Sequence, residues 1–369
     1  MDFMDKKFVL HISKTSLAGA PIRIVNALNK YTNYSARLAN FMPSALEGNI
    51  PIYDEDLNWQ IEPDKGMIRD LVKKADIIHF HHFMELEFYN PFLINFYKET
   101  KPGCKFLRHF HTDKDYITRN DLDFGKYYPN DKQPRIVIPH YPERTFMDCQ
   151  ILPNIIPIHE QYCSPVQTNN SKPVVVYSVS NKTSYKKERW ATKGYPEVIE
   201  VLKKLSKELD FELVEISRLP FYDAMKLKQQ ADIVIGDVVT GSYHLTELEA
   251  LSLGKPSLTY LDGRSVMTFM NTFKTKEIPF VNVNIDNLEF ALKDLLENKT
   301  LRENVGRFSR EWMEKYYDDS VLIKSFIEIY DKLLQNENIT RTGYKEYPDV
   351  KEFLYNRVYD YNWLRLKQS

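Results

Sequence analysis

The chain has 369 residues, 43% of them hydrophobic, which is long for one typical domain and apolar enough for two cores. Lys+Arg (50) and Asp+Glu (51) nearly cancel, so bulk charge does not mark nucleic acid or an anionic membrane as the partner. The three cysteines, Cys104, Cys149 and Cys163, show no CxxC spacing and suit a reducing compartment rather than a disulfide framework.

The first predicted element is an apolar strand, FVLHIS at 8–13, too short for a signal-sequence core and followed by no small-residue cleavage site. No run of about 18 apolar residues occurs later, so a cytoplasmic location is expected, with peripheral membrane contact left open. The strand leads through Leu17-Ala18-Gly19-Ala20-Pro21 into an amphipathic helix, and Gly19 lets that loop approach a cleft closely. Residues 71–80, LVKKADIIHF, end a polar-faced helix and pass through Ala-Asp into a β-branched run that suits a buried parallel strand. A further strand ends in KFLRHFHTDKD. His79, His81 and His82 therefore cluster at one strand end, His109 and His111 at another. Strand alternation puts His79 with His81, and His109 with His111, so a zinc site is geometrically possible. No His-Glu-x-x-His or Cys/His spacing supports it, and no metal is expected. His82 and His109 read as satisfied structural histidines, while His111 and Asp113 are the candidates to contact a bound ligand. ILPNIIPI (151–158) is expected to be the last strand of the first half, and SPVQTNNSKP (164–173), polar with two prolines, to be a linker.

The second half repeats the plan. VVVYSVS (174–180) is a strand, followed by a cationic turn, NKTSYKKERWATKGYPEV (181–198), and a helix with Val198, Leu202, Leu205 and Leu209 on one stripe. FELVEI is the next strand, and LKQQADIVIG (227–236) echoes residues 71–80. After Gly236-Asp237 comes a loop, then a helix expected from Thr246, with Gly254 placed as its left-handed C-terminal stop. Such strand–loop–helix turns aim helix N-termini at a crevice where a diphosphate can be held. From spacing alone, Thr246-x-x-Glu249 is a capping box and Glu247 a solvated first-turn acid. The aromatic tail beyond about residue 336 reads as a helix packing back on the core, or as a membrane- or partner-binding helix.

The order strand, Lys193-Gly194 helix, strand, Ala-Asp-Ile strand, loop, Glu249-Ala250-Leu251-Ser252-Leu253-Gly254-Lys255-Pro256 resembles the nucleotide-binding domain of family 4 glycosyltransferases. Residues 308–334 also resemble the helices that close such a domain. Leu17–Pro21 and Pro153-Asn154 resemble first-half features of the same family, and the tail matches nothing in it. The resemblance implies an α/β chain of GT-B fold, two Rossmann-like domains facing across a cleft. The expected division is an acceptor-side domain over 1–163, a nucleotide-sugar domain over 172–336, and a helical tail over 337–369 packing on the first domain.

The implied activity is transfer of a sugar from a nucleoside-diphosphate donor, a UDP-sugar being the expected one, to a carbohydrate or glycolipid hydroxyl. The family reaction is retaining and metal-independent, and surface polysaccharide or glycoconjugate synthesis is its commonest use. By the resemblance Glu249 holds the nucleotide ribose, while Lys193, with Arg189 or Lys182, neutralises the diphosphate. Arg218 marks the base, and Asn181, Leu245 and Thr246 complete the donor set. The family's first acidic position falls on Gly241; Gly241-Ser242-Tyr243-His244 resembles a glycine-tyrosine variant of that loop. Gly19 and Ala20 line the cleft from the first half, where the resemblance implies that His111 and Asp113 meet an acceptor hydroxyl or the donor sugar. Competing readings are an epimerase or phosphorylase of the same architecture, a catalytically silent binding protein, and a transferase acting on protein or, less expected from the charge balance, on nucleic acid.

Overall fold

Runs such as FVLHIS and VVVYS carry apolar residues at successive positions, and so on both faces, and they pair where helices can cover each side rather than at a wet surface. The computed structural model describes residues 6–114, 117, 126, 128–178, 182 and 189–341. Contacts divide the chain into two compact units, one from Met1–Ile155 with Asp319–Gly343, the other over Ile156–Asp318.

The first unit carries a seven-stranded sheet in the order β3-β2-β1-β4-β5-β6-β7. Its strands are β1 (Phe8–Ser13), β2 (Ser35–Asn40), β3 (Leu57–Asn58), β4 (Ile77–His81), β5 (Lys105–Phe110), β6 (Arg135–Val137) and β7 (Gln150–Ile151). All neighbours are parallel. The expected strand over 151–158 shrinks to its first residue, because Pro153 and Pro157 lack the N–H that a ladder needs. Helix α1 (Ala20–Tyr31) starts with Pro21 in its first turn and buries Ile24, Val25 and Leu28; α2 (Glu62–Lys74) buries Ile68 and Val72. The closing helix, Asp319–Leu334, lays Ile323, Phe326 and Tyr330 onto the core formed by Val9, Ile77 and Leu107. Each large apolar side chain so buried stabilises the unit by about 1.5–3 kcal/mol. That stripe ties residues 319–334 to the first unit, whereas the sequence boundaries assign them to the second.

The second unit has the strands β8 (Val174–Ser178), β9 (Glu212–Ile216), β10 (Ile233–Ile235), β11 (Ser257–Thr259) and β12 (Val281–Asn282), ordered β12-β11-β10-β8-β9 and all parallel. Its longer helices are α3 (Tyr195–Leu205), α4 (Phe221–Gln230), α5 (Leu245–Ser252), α6 (Gly263–Phe273), α7 (Leu288–Glu297) and α8 (Lys299–Tyr316). Val198, Leu202 and Leu205 of α3 join Val175, Ile233, Ile235 and Leu258 in one core. The unit begins before the expected linker. Arg310 of α8 donates to the carbonyls of Ile158 (3.2 Å), Cys163 (3.0 Å) and Ser252 (2.7 Å), fastening residues 158–163 to this core. Among the described residues no helix is long and apolar enough to cross a membrane. The aromatic tail, with its expected packing, lies outside the described residues.

Candidate functional site

In the second sheet the chain steps from β8 outward to β9 on one side, and from β10 outward through β11 to β12 on the other. Such a reversal opens a crevice at the carboxyl ends of the two central strands. Helices α3 and α5 start there. The turn into α3 is made by Lys193 (φ 53°) and Gly194 (φ 77°), both left-handed. A Cβ on Gly194 would lie 2.8 Å from Val239 Cγ2 and 2.9 Å from Ile285 Cδ1, so only glycine fits between the β10 and β12 loops. The turn brings Lys193 Nζ to 3.9 Å from Asp237 Oδ2, just beyond the end of β10. The two turns singled out by sequence therefore converge.

Asp237 organises the second turn, and sequence reasoning assigned it no role. Its carboxylate accepts from the backbone N–H of Val239 and Thr240 (both 2.9 Å) and from Thr240 Oγ1 (2.7 Å); His244 Nε2 lies 3.0 Å away. Burial pushes this carboxyl up, but the His244 hydrogen bond and the charges of His244 and Lys193 outweigh it and hold Asp237 well below the usual range. Lys193 and His244 are about one-third exposed at their side chains, at 33% and 36%, while Asp237 is 0% exposed. A cation and an imidazole thus meet on one buried anion, each with part of its side chain exposed.

Helix α5 starts at Leu245, one residue earlier than expected, with His244 as N-cap. The capping acid is Glu247, not Glu249. Glu247 is buried and accepts from the backbone N–H of Asp237 (2.7 Å) and of His244 (3.0 Å), which corrects its reading as a solvated acid. Glu249 instead faces Lys228 of α4 at 2.6 Å, and both are buried. Leu245 and Thr246 are half-buried in the first turn of α5, with Thr246 Oγ1 3.4 Å from Lys228 Nζ. Tyr243 points inward, its ring packed on Phe269 and Phe280, so only its backbone is available to a ligand. Gly241 (φ 78°) is closed over by Asp262, and its carbonyl accepts from Ser265 Oγ at 2.6 Å. Of the expected second cations, Arg189 pairs with Glu197 and Lys182 with Glu215. Arg218 is exposed at the end of β9, in a left-handed conformation. Asn181 lies outside the described residues, as do Lys186 and Lys187.

The first unit holds its own polar cluster. His11, His79, His81 and His109 sit on adjacent strands, His11 opposite His79 and His81 opposite His109, with His111 just past the end of β5. Their rings lie close in series, His79–His81 stacked at 4.7 Å and His11–His79 and His109–His111 tilted at 4.5 and 4.0 Å between centroids. Burial keeps all five neutral, lowering His11 to about 3 and the others well below their ordinary value. His11 carried no signal in its sequence context and joins only through the sheet. His109 is not satisfied as expected: neither ring nitrogen has a hydrogen-bond partner among the described residues. Asp113 is half-buried beyond β5. Gly19 caps α1 in a left-handed turn under Tyr53, and Ala20 is buried. A groove of about 650 Å³ in this unit is lined by Lys14, Met42, Phe88, Tyr89 and Leu93 among others.

No family model matches the chain, and no curated protein matches it. Solved structures do. A glycosyltransferase from Rickettsia africae aligns over 90% of this chain and all of its own, at 15% identity and a TM-score of 0.57. An α-glucosyltransferase solved with UDP and a 13-mer DNA aligns over 89% of this chain and all of its own, at 9% identity and TM-score 0.58. The chain has the GT-B fold. A Listeria monocytogenes protein described as a UDP-N-acetylglucosamine 2-epimerase shares it, over 92% of this chain and all of its own, at 12% identity and TM-score 0.51. Within this GT-B chain, the Lys193–Asp237 crevice belongs wholly to the second unit.

Proposed function

We propose that the chain is a glycosyltransferase that binds a nucleoside-diphosphate sugar, with UDP as the nucleotide, in the second-unit crevice. The observation that carries this reading is the meeting of Lys193 and His244 on the buried Asp237, at the switch point between β8 and β10. A fixed cation with a polar imidazole beside a helix start suits a diphosphate, and suits still better the charge that grows on it as the glycosidic bond breaks. Thr246 and the backbone of residues 241–245 line the same turn. Glu249 is proposed for the ribose hydroxyls, with Lys228 behind it holding the carboxylate in place. In this reading transfer is retaining, needs no metal at the diphosphate, and ends on a carbohydrate or glycolipid hydroxyl.

The reading is tested by thermal shift with UDP, GDP, ADP and their sugars, followed by product analysis with the stabilising sugar. A ligand at 100 times its dissociation constant stabilises by about 2.7 kcal/mol. The reading expects stabilisation by UDP and sugar transfer only when acceptor is added. Donor isomerised without acceptor would mark an epimerase, and binding with no turnover a silent receptor. No stabilisation by any nucleotide would remove the reading altogether.

A further inference from the structure

The imidazole stack of the first unit is not used by the nucleotide reading and stands independently of it. Three of its members, His81, His109 and His111, each offer one ring nitrogen within 4.8 Å of the other two. His111 is half-buried and gives the group an edge toward solvent, while His81 and His109 are buried. We propose that these three histidines bind one divalent transition ion of the zinc class, with a fourth position open to water.

Four observations carry the assignment. Both nitrogens of His109 are buried without a hydrogen-bond partner among the described residues; a neutral imidazole there loses its hydration and regains nothing, and a metal bond repairs that loss at one of the two. His81 Nδ1 faces His111 Nε2 at 2.9 Å. Nitrogens bonded to one tetrahedral ion at 2.0–2.1 Å stand about 3.3 Å apart, so this pair needs little movement and His109 closes in by turning its ring. An outer shell is also built. With Nδ1 on the ion, His81 carries its proton on Nε2, which lies 3.0 Å from His11 Nδ1. The other nitrogen of His11 is 3.4 Å from the Tyr330 hydroxyl, itself 2.7 Å from His79 Nδ1. A histidine ligand whose second nitrogen donates to a fixed partner is the usual arrangement at such sites. Finally, the ligand set is nitrogen only. Magnesium and calcium require oxygen donors, whereas three imidazoles with an open position suit zinc, cobalt or nickel. A second trio, His11, His79 and His81, also has its ligand nitrogens within 4.8 Å. It is the weaker candidate, because Tyr330 already partners His11 and His79 and all three are buried.

The test uses the full chain, purified without a polyhistidine tag, stripped with a chelator and titrated with Co²⁺, then Zn²⁺. One equivalent of Co²⁺ should give visible ligand-field absorption that Zn²⁺ abolishes and Mg²⁺ leaves unchanged. His111→Ala, at the half-exposed edge, should lose the absorption while keeping the wild-type circular dichroism. His109→Phe should do the same, and serves as a second ligand variant. His11→Phe keeps a ring in the stack but removes the outer-shell acceptor, and should weaken Zn²⁺ by about 10- to 100-fold without abolishing the site. Absence of stoichiometric Co²⁺ absorption in the wild-type chain would overturn the proposal. So would a folded His111→Ala that titrates like wild type.

Discussion

Lys193 occupies a backbone region that costs a side-chain-bearing residue about 1–3 kcal/mol and persists only where surrounding structure enforces it. Asparagine tolerates the left-handed conformation better than most residues, so Lys193→Asn separates fold from function. The variant should melt at or slightly above the wild-type temperature. It should also bind UDP about 10- to 100-fold more weakly, the value of a charge-assisted hydrogen bond. Isothermal titration alongside a melt checks both, and unchanged affinity would clear Lys193 of any role at the diphosphate. Asp237 makes a different prediction. Its folded pKa is depressed below the ordinary carboxyl value, so its stabilising contribution is complete above the unfolded value of about 3.9. That contribution is lost as pH falls through the lower folded value. Asp237→Asn should therefore cost about 1–3 kcal/mol at pH 7, with the gap in urea midpoint narrowing below about pH 3.9. A gap that stays constant into acid would show that the charge contributes nothing. At this scale Lys193 stood out from the other lysines of its turn only through the resemblance of Lys193-Gly194 to the family's Lys-Gly, a pattern local enough to be seen in sequence. Asp237 looked like any strand-ending acid, and its four acceptor contacts exist only once the loop closes on it.

At the scale of the element, α5 shows how one position of register changes every role in a helix. Usual N-cap residues are Ser, Thr, Asp and Asn, and the nearest of these, Thr246, suggested a box closing on Glu249. The structure caps with His244, so the acid three positions on is Glu247, and Glu249 is turned onto α4 instead. Glu249 and Lys228 then form a buried pair 2.6 Å apart, with side chains only 6% and 4% exposed. Removing one member of such a pair leaves an uncompensated charge and costs about 3–5 kcal/mol, whereas replacing both with apolar residues is often neutral. Lys228→Met should thus destabilise strongly by urea titration, and Lys228→Met with Glu249→Leu should recover most of the loss. The double variant also tests the ribose role. Recovered stability with UDP affinity unchanged would make the pair purely structural. Recovered stability with weakened binding would support Glu249 as a ligand contact held by Lys228.

For the whole molecule, the two Rossmann-like units were legible because parallel strands buried on both faces leave repeated apolar runs, and the Ala-Asp echo marks in each half a strand that pairs with the first one. The exchange of chain between units was not legible. The stripe of Ile323, Phe326 and Tyr330 states that the closing helix is amphipathic, but not which core it covers, and Arg310 holds residues 158–163 through carbonyls that any sequence would supply. That division has a measurable consequence. A ligand that binds only the folded second unit stabilises by RT ln(1 + [L]/Kd), and a tenfold rise in ligand well above Kd adds about 1.4 kcal/mol. If the units unfold in separable steps, calorimetry with increasing UDP should move one transition upward and leave the other in place. Zn²⁺ added to the chelator-stripped chain should do the reverse, moving the transition that UDP leaves untouched. A single transition displaced by both ligands would mean that the units unfold together, and the two stabilisations should then add. Both ligands moving the same one of two resolved transitions would contradict the assignment of nucleotide to the second unit and ion to the first.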